Sequence, residues 1–361
     1  MFNPSRLALA RRRRGMTKIR LAKAIGLTPR SISGFETRSI SPSSETIQAL
    51  GLALGFPPDF FSGEDLVEPL KESASFRALT SMSAAERDTA LAAGAIAFEV
   101  ASWIGARFEL PEPEIPDLRG STPEAAAAAL RSQWGLGELP VSNMIHLLES
   151  KGVRVFSLTQ ECKEVDAFSV WRGKVPFTFL NTMKSGERGR FDAAHELGHL
   201  TLHRHGGPGG RNAEIEADRF GAAFLMPEGS VLALGIRNPR VDQLVKLRKR
   251  WKVATIALTH RLNALGMITE WHYRHLCIEI SRRGFRTSEP EGIPRETSQV
   301  LDKVFAALRQ EGATKADVAR ELHLYPVDVE AVVFGLVISS IDGSGSGGSP
   351  TRRRPPNLRV V

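Results

Sequence analysis

The chain has 361 residues, of which 42% are hydrophobic and 24% are charged, so it is long enough for two or three globular domains. No apolar run approaches the roughly 20 residues that span a bilayer, and the early arginines are not followed by the apolar segment of a secretory signal. Cys162 and Cys277 lie far apart, which fits a reducing compartment and excludes a cysteine-built metal site. We therefore expect a cytoplasmic protein without membrane contact.

The net charge of +8 is unevenly distributed. Residues 1–40 hold ten Lys/Arg and one acidic residue, and residues 341–361 hold four Arg and one Asp, so the rest of the chain has a net charge of −4. Basicity confined to the ends predicts a local polyanion partner rather than a uniformly cationic surface. Because residues 341–361 are rich in Gly, Ser and Pro, we expect a disordered basic tail.

Residues 1–62 predict a small all-α domain. Its short helices are broken at Gly15, Gly26, Pro42 and Pro57. In "TKIRLAKAIGLTPRSISGFE" Thr17 can cap one helix, Gly26 can form the turn, and Thr28 with Pro29 can begin a second helix. This spacing is typical of a helix-turn-helix, whose second helix enters the major groove of DNA.

The segment from residue 5 to residue 60 resembles the XRE (Cro/repressor-like) helix-turn-helix family. That resemblance implies binding to a double-stranded operator, often as a homodimer. The side chains that we expect to face DNA are Lys18, Thr28, Arg30, Ser31, Ser33 and Arg38, and the Arg11–Arg14 run also suits phosphates. Two positions depart from the family: Lys18 replaces a common Gln, and Gly34 is expected to remove a contact. The alternative is a basic helical module that binds a protein.

The middle of the chain predicts a change of fold class. Residues 63–119 predict a helical linker, with a long helix from about Ser83 to Phe108 capped by Ser81 or Ser83, and then the spacer "ELPEPEIPDL". Residues 120–235 predict a small α+β domain, in which "VRVFSL", "AFSVWR" and "PFTFLN" form a short sheet between helices. Residues 236–340 predict a helical C-terminal region. The expected fold class is therefore α+β and predominantly helical.

The segment "FDAAHELGHLTLH" predicts a metal site. On a helix, residues four apart share a face, so His195 and His199 can bind one ion. Glu196 is rotated by about 100°, which places it beside the ion, where a base can act on water. H-E-x-x-H on a helix is typical of zinc peptidases for this reason. The sequence therefore predicts Zn²⁺ as the cofactor and Glu196 as the catalytic base.

A catalytic zinc needs a third protein ligand, and the sequence offers two sources. His205 has the position of a third histidine, but Leu202 stands where the chain needs a glycine to turn back. The next predicted helix, "AEIEADRFGAAFLMP", instead offers Glu214, with Asp218 on the same face to orient a ligand histidine. We favour Glu214 over Glu216, and we expect His203 to support the ligands rather than to bind the ion.

These two helices resemble the ImmA/IrrE family of bacterial metallopeptidases over roughly residues 120–235. That family pairs H-E-x-x-H with a downstream E-x-x-A-[ND]-x-F-A and a closing L-M-P, and Gly221 departs from the final Ala. The stretch "LNTMKSGERGRF" before the site also resembles the family. The resemblance implies His195, His199 and Glu214 as metal ligands and Glu196 as the base.

Two functions are consistent with these predictions. In the first, a DNA-binding regulator carries a zinc endopeptidase that cleaves a repressor or an antitoxin-like partner. In the second, the metal domain is a structural or sensory unit without protease activity. The intact Glu196 favours the first, because a structural zinc has four protein ligands and needs no such acid. Two later segments, "KVATIALTHRLNALGMI" and "TKADVARELHLYPVDVEAVVF", resemble helix-turn-helix units, and we expect them to serve packing or partner contact.

Overall fold

The computed structural model of the chain describes residues 1–69, 83–158, 165–204 and 210–337. Ser81, Cys162, His205 and the tail at 341–361 lie outside the described residues. No helix among the described residues is long and apolar enough to cross a membrane. The fold is α+β and predominantly helical, as the sequence predicts.

Four helices and a 3-10 turn form the N-terminal unit. They are α1 (Pro4–Arg13), α2 (Lys18–Ala24), α3 (Pro29–Glu36), α4 (Ser44–Leu54) and the turn at Pro58–Ser62. Thr17 caps α2 by accepting the backbone N–H of Arg20, and Thr28 caps α3 by accepting that of Ser31. Leu21, Ile32 and other buried apolar residues form the core between the helices. The predicted helix-turn-helix is therefore present, with α2 and α3 as its two helices.

The arginine run is half-buried except for Arg13, and its guanidinium groups have partners within the fold. Arg11 pairs with Glu36 and Arg12 pairs with Glu68, each at 2.6 Å, while Arg13 is almost fully buried. The Arg14 Nη2 atom lies 2.9 Å from the buried carboxylate of Asp328 near the other end of the chain. Since carboxylates already engage Arg11, Arg12 and Arg14, these side chains hold parts of the fold together, and contacts to phosphates would require them to exchange these partners.

Gly34 is also explained differently by the structure. It is buried in α3, and an added Cβ would lie 2.7 Å from the side chain of Ile40. Such a contact is too close for a carbon pair. The glycine therefore serves packing inside the helix-turn-helix unit, and the expectation that it removes a contact to DNA is wrong.

The long helix α5 (Ala84–Gly105) packs against α1. Ser83 caps it in a capping box with Glu86, which settles the choice between the two predicted caps. The next helices are α6 (Pro123–Gln133) and α7 (Met144–Ser150). The aromatic ring of Phe98 on α5 lies 4.5 Å from that of Phe177, so α5 covers one face of the sheet.

The sheet has three strands, β1 (Arg154–Ser157), β2 (Ala167–Arg172) and β3 (Val175–Leu180), in the order β1-β3-β2. β1 is parallel to β3, and β2 is antiparallel to β3 with Ser169 opposite Thr178. Side chains alternate between the two faces. Phe168, Phe177 and Phe179 therefore pack toward α5, and Ser169 points toward the opposite face, where α8 lies.

Helix α8 (Gly186–Leu202) lies on that opposite face, and α9 (Arg211–Leu225) packs against α8. A Cβ added to Gly198 would lie 3.2 Å from the Ala217 Cα atom, and one added to Gly221 would lie 3.2 Å from the backbone nitrogen of His195. Because glycine has no side chain, the backbones of α8 and α9 can approach closely at these two positions. Gly221 stands where the ImmA/IrrE family has an alanine, and it thus lies at the contact between α8 and α9.

The remaining helices are α10 (Glu228–Leu232), α11 (Val241–Leu247), α12 (Thr255–Ala264), α13 (Glu270–Arg282), α14 (Gln299–Gln310), α15 (Lys315–Glu321) and α16 (Pro326–Val333). α12 contacts α9, and α16 contacts α5 and β1. The Thr182 hydroxyl also donates a hydrogen bond to the Phe334 carbonyl. These contacts show α12 and α16, each from a helix-turn-helix-like segment, packed within the fold.

Candidate metal centre and DNA-facing helices

Helix α8 places His195, Glu196 and His199 in the interior. His195 and Glu196 are almost fully buried, and His199 is 6% exposed. The His195 and His199 Nε2 atoms lie 3.1 Å apart, because residues four apart project from the same side of a helix. Two imidazoles thus present their outer nitrogens to one point.

Helix α9 brings Glu214 to the same point. One Glu214 carboxylate oxygen lies 3.4 Å from His195 Nε2 and the other lies 3.4 Å from His199 Nε2. The three donor atoms all lie within 4.8 Å of one another. Glu216 does not join them, and His205 lies outside the described residues. The described donor set is therefore two histidines and one glutamate.

Hydrogen bonds on the far side of each imidazole fix its orientation. His195 Nδ1 lies 2.9 Å from an Asp218 carboxylate oxygen. His199 Nδ1 lies 2.9 Å from His203 Nδ1, and His203 Nε2 lies 2.9 Å from a Glu216 oxygen. If His195 Nδ1 donates to Asp218, the Nε2 atom of His195 keeps a lone pair. The same holds for His199 Nε2 if His199 Nδ1 donates to His203 and His203 Nε2 donates to Glu216. Asp218 and His203 thus contact the two candidate ligand histidines on the side of each ring that faces away from the metal position.

These donors fit a divalent cation. With both Nε2 atoms deprotonated, two nitrogen lone pairs and the Glu214 carboxylate face one another in a largely buried site, an arrangement that a divalent cation makes favourable. The pKa values reflect the same electrostatics. Burial alone would lower the pKa of His195, but hydrogen bonds to Asp218 and Glu214 outweigh it and raise the pKa to about 9. Burial would raise the pKa of Glu214, but hydrogen bonds with His195 and His199 hold it well below its usual range.

Glu196 has a partner that sequence reasoning missed. The hydroxyl of Ser169, a buried residue on β2, donates a 2.7 Å hydrogen bond to a Glu196 carboxylate oxygen. This bond holds the carboxylate between the sheet and α8. The only signal in the sequence was the alternation of "AFSVWR", which predicts that Ser169 lies on one face without saying which helix covers that face.

Replacing Asp218 with alanine should weaken metal binding about 10- to 100-fold, because His195 loses the acceptor that orients its ring. Competition with a chromophoric zinc chelator measures the change. Arg219→Gln, an exposed neighbour on α9, serves as the control and should bind zinc like the wild type. Equal affinity in the Asp218 variant would show that this hydrogen bond does not support the site.

The residues expected to face DNA differ in their surroundings. The Lys18 ammonium lies 3.1 Å from a Glu36 oxygen and donates to the Ser33 hydroxyl at 3.2 Å. Thr28 and Ser31 hydrogen-bond to each other at the start of α3. Internal partners therefore already hold these four polar side chains, although Thr28 is exposed and Ser31 and Ser33 are half-buried.

Arg30 and Arg38 are exposed on the same unit, at the start of α3 and just after it. The structure also exposes Arg20 and Lys23 on α2, which the sequence analysis missed. Their spacing of three residues on a predicted helix was the available signal, because it places two cations on one face. Exposed cations on both helices of the motif are suited to phosphate contacts.

The comparisons with known proteins agree with this arrangement. Residues 148–263 match the family model described as an IrrE N-terminal-like domain, of the M78 peptidases, and residues 7–61 match the helix-turn-helix model. A search of curated proteins finds no match to the chain. Residues 7–61 are therefore a helix-turn-helix domain, and residues 148–263 are an IrrE-like domain of the M78 peptidases.

Proposed function

We propose that the protein is a DNA-binding regulator that uses Zn²⁺ to hydrolyse a peptide bond in a regulatory protein partner, a repressor or an antitoxin-like protein. The observation that carries the proposal is the convergence of donor atoms from His195, His199 and Glu214 within 4.8 Å. Glu196 lies on α8, the helix that carries both histidines. Three protein donors leave a coordination position open, which a catalytic zinc needs and a structural zinc lacks.

In this proposal each residue has a separate role. His195, His199 and Glu214 hold the ion, and Asp218 and His203 orient the two imidazoles. Bound zinc supplies Lewis-acid catalysis, since it polarises a carbonyl and lowers the pKa of water toward neutrality. Glu196 takes a proton from the attacking water and passes it to the leaving amine. The Ser169 hydrogen bond keeps the Glu196 carboxylate in place during both transfers.

The position of β2 suggests how a substrate is held. β2 is an outer strand of the described sheet, and it also carries Ser169. An extended peptide can pair with an exposed strand edge through backbone hydrogen bonds. We therefore infer that an extended segment of the partner lies along β2, close to Glu196.

The helix-turn-helix domain would bring this activity to an operator. Arg30 at the start of α3 is the exposed side chain best placed for base edges, and Arg38, Arg20 and Lys23 suit phosphates. Lys18, Thr28, Ser31 and Ser33 are proposed to contribute after exchanging an internal partner for DNA. Because operators of this motif often consist of two half-sites, we also propose a homodimer on DNA. Because an operator is its proposed target, we propose that the protein acts in the cytoplasm.

Changing Arg30 to alanine should weaken operator binding by about 1–3 kcal/mol and relax the base preference at one position. Fluorescence anisotropy can measure this on an operator selected from a random DNA library. Arg274→Ala, which removes an exposed arginine on α13, is the matched control and should leave binding unchanged. If Arg30→Ala binds like the wild type, the proposed major-groove role of α3 does not hold.

Quantitative proteomics of cells that carry either the wild type or Glu196→Gln tests the function. We expect one or a few regulatory proteins to persist at full length in the variant and to be cleaved in the wild type. Incubating the purified partner with each form then shows whether cleavage is direct. No difference between the proteomes would contradict the protease proposal and favour the structural or sensory role of the metal domain.

A further inference from the structure

A second site lies beside the candidate metal centre. A pocket of about 600 Å³ opens between the N-terminal half of α8, α9, α12 and the segment at 285–289. Its wall includes Asp218 but none of His195, His199, Glu214 or Glu196. The pocket is therefore distinct from the donors that would hold the ion. Its volume lies within the range of small-molecule sites.

The floor of the pocket is apolar. It is formed by Phe191, Ala222, Ile256, Ala257 and Phe285, all of them half-buried. Small side chains on α9 and α12 leave the space, and the two aromatic rings border it. A ligand with a hydrophobic body would remove this surface from water, which stabilises a complex by about 25 cal/mol per Å² of apolar area.

The pocket wall holds six acidic side chains and five Lys/Arg side chains, which are unevenly paired. Each of the six acidic side chains in the wall has a basic partner: Asp166 and Asp192 with Lys184, Glu187 and Glu289 with Arg248, Glu124 with Arg219, and Asp218 with His195.

Arg188 and Arg286, by contrast, form no ion pair with any acidic residue that the structure describes. Both are exposed, and the Arg188 guanidinium donates to the Arg286 backbone carbonyl, so the two side chains belong to the same rim. The Arg286 charge also acts on the pocket wall: burial and then this charge lower the pKa of His260. Two guanidinium groups without acidic partners form a site for an anion.

We propose that this pocket binds a small molecule with an apolar body and one anionic group, such as a carboxylate, a sulfonate or a phosphate. The body lies against Phe191, Ala257 and Phe285, and the anion lies between Arg188 and Arg286. Binding needs neither the ion nor Glu196, so the inference stands apart from the proposed peptidase activity.

The probe for the test is 8-anilinonaphthalene-1-sulfonate, an apolar aromatic body with one sulfonate, whose fluorescence rises in apolar sites. Its uncharged counterpart, N-phenyl-1-naphthylamine, measures the contribution of the anion. We expect saturable one-site binding of the sulfonate to the full chain, at least about tenfold tighter than binding of the amine. Excess octanoate should displace the sulfonate, and octanol should displace it less.

Two variants and one control locate the binding site. Arg188→Gln with Arg286→Gln should weaken sulfonate binding at least about tenfold and leave amine binding unchanged, whereas Ala257→Phe should weaken both by filling the floor. Arg282→Gln, an exposed arginine outside the pocket, should behave like the wild type. Circular dichroism confirms that each variant is folded. Equal sulfonate affinity in the double arginine variant and the wild type would overturn the proposal, because the probe would then bind elsewhere.

Glu196→Gln separates this inference from the peptidase proposal. The variant should bind the probe like the wild type whether or not the wild type cleaves a partner. Loss of probe binding in Glu196→Gln would contradict the separation of the two sites, and loss of cleavage alone would not affect the pocket.

Discussion

Glutamine at position 196 should stop peptide-bond hydrolysis while zinc stays bound. The amide has nearly the same shape as the carboxylate, and its oxygen can still accept the Ser169 hydrogen bond, but it cannot take a proton from water. Loss of a positioned general base costs about 10²- to 10⁴-fold in rate. Single-turnover cleavage of the partner, together with zinc content by mass spectrometry, measures both properties.

The matched control for this experiment is Glu228→Gln, which changes an exposed glutamate of α10 outside the proposed machinery. It should retain both zinc and cleavage. Full cleavage by Glu196→Gln would remove Glu196 from the chemistry. Loss of zinc in the same variant would mean that Glu196 holds the ion, so that the roles of the two glutamates would have to be exchanged.

Changing Glu214 to glutamine should release zinc and abolish cleavage together. The carboxylate faces both imidazoles at 3.4 Å, so its neutralisation removes a ligand and the only negative charge among the three donors. We expect zinc affinity to fall at least about 100-fold, which exceeds the effect of losing an orienting hydrogen bond. Competition with a chromophoric chelator measures the affinity.

The Glu214 and Glu196 variants make a matched pair, because each replaces one buried or half-buried glutamate by its amide. Glu214→Gln should lose both zinc and cleavage, whereas Glu196→Gln should lose cleavage alone. Zinc affinity unchanged by Glu214→Gln would show that the third ligand lies elsewhere, and His205 is then the first residue to test.

Much of the candidate metal centre could be predicted because local geometry determines it. His195 and His199 share a face on any α-helix, and small residues such as Ala217 indicated that α9 packs closely on α8. Asp218 follows Glu214 by four residues, so the same helix presents both. Confirmation that α8 and α9 are adjacent needed the structure, because their approach depends on tertiary packing.

Contacts between distant parts of the chain could not be predicted. Ser169 contacts Glu196 only because α8 packs on the face of the sheet to which the Ser169 side chain points. The same holds for Arg14, whose partner Asp328 lies 314 residues away. In the sequence the arginine run looked like a phosphate-binding patch, and the carboxylates that neutralise it gave no local signal. Periodicity identifies which residues share a face, but not which element packs against it.

The most direct test of the central claim is anomalous diffraction from zinc-loaded crystals, recorded on both sides of the zinc absorption edge. We predict one strong peak about 2.0–2.2 Å from His195 Nε2, His199 Nε2 and a Glu214 oxygen. A fully loaded crystal whose peak lies away from these three atoms, or has a fourth protein ligand, would contradict the proposed catalytic zinc.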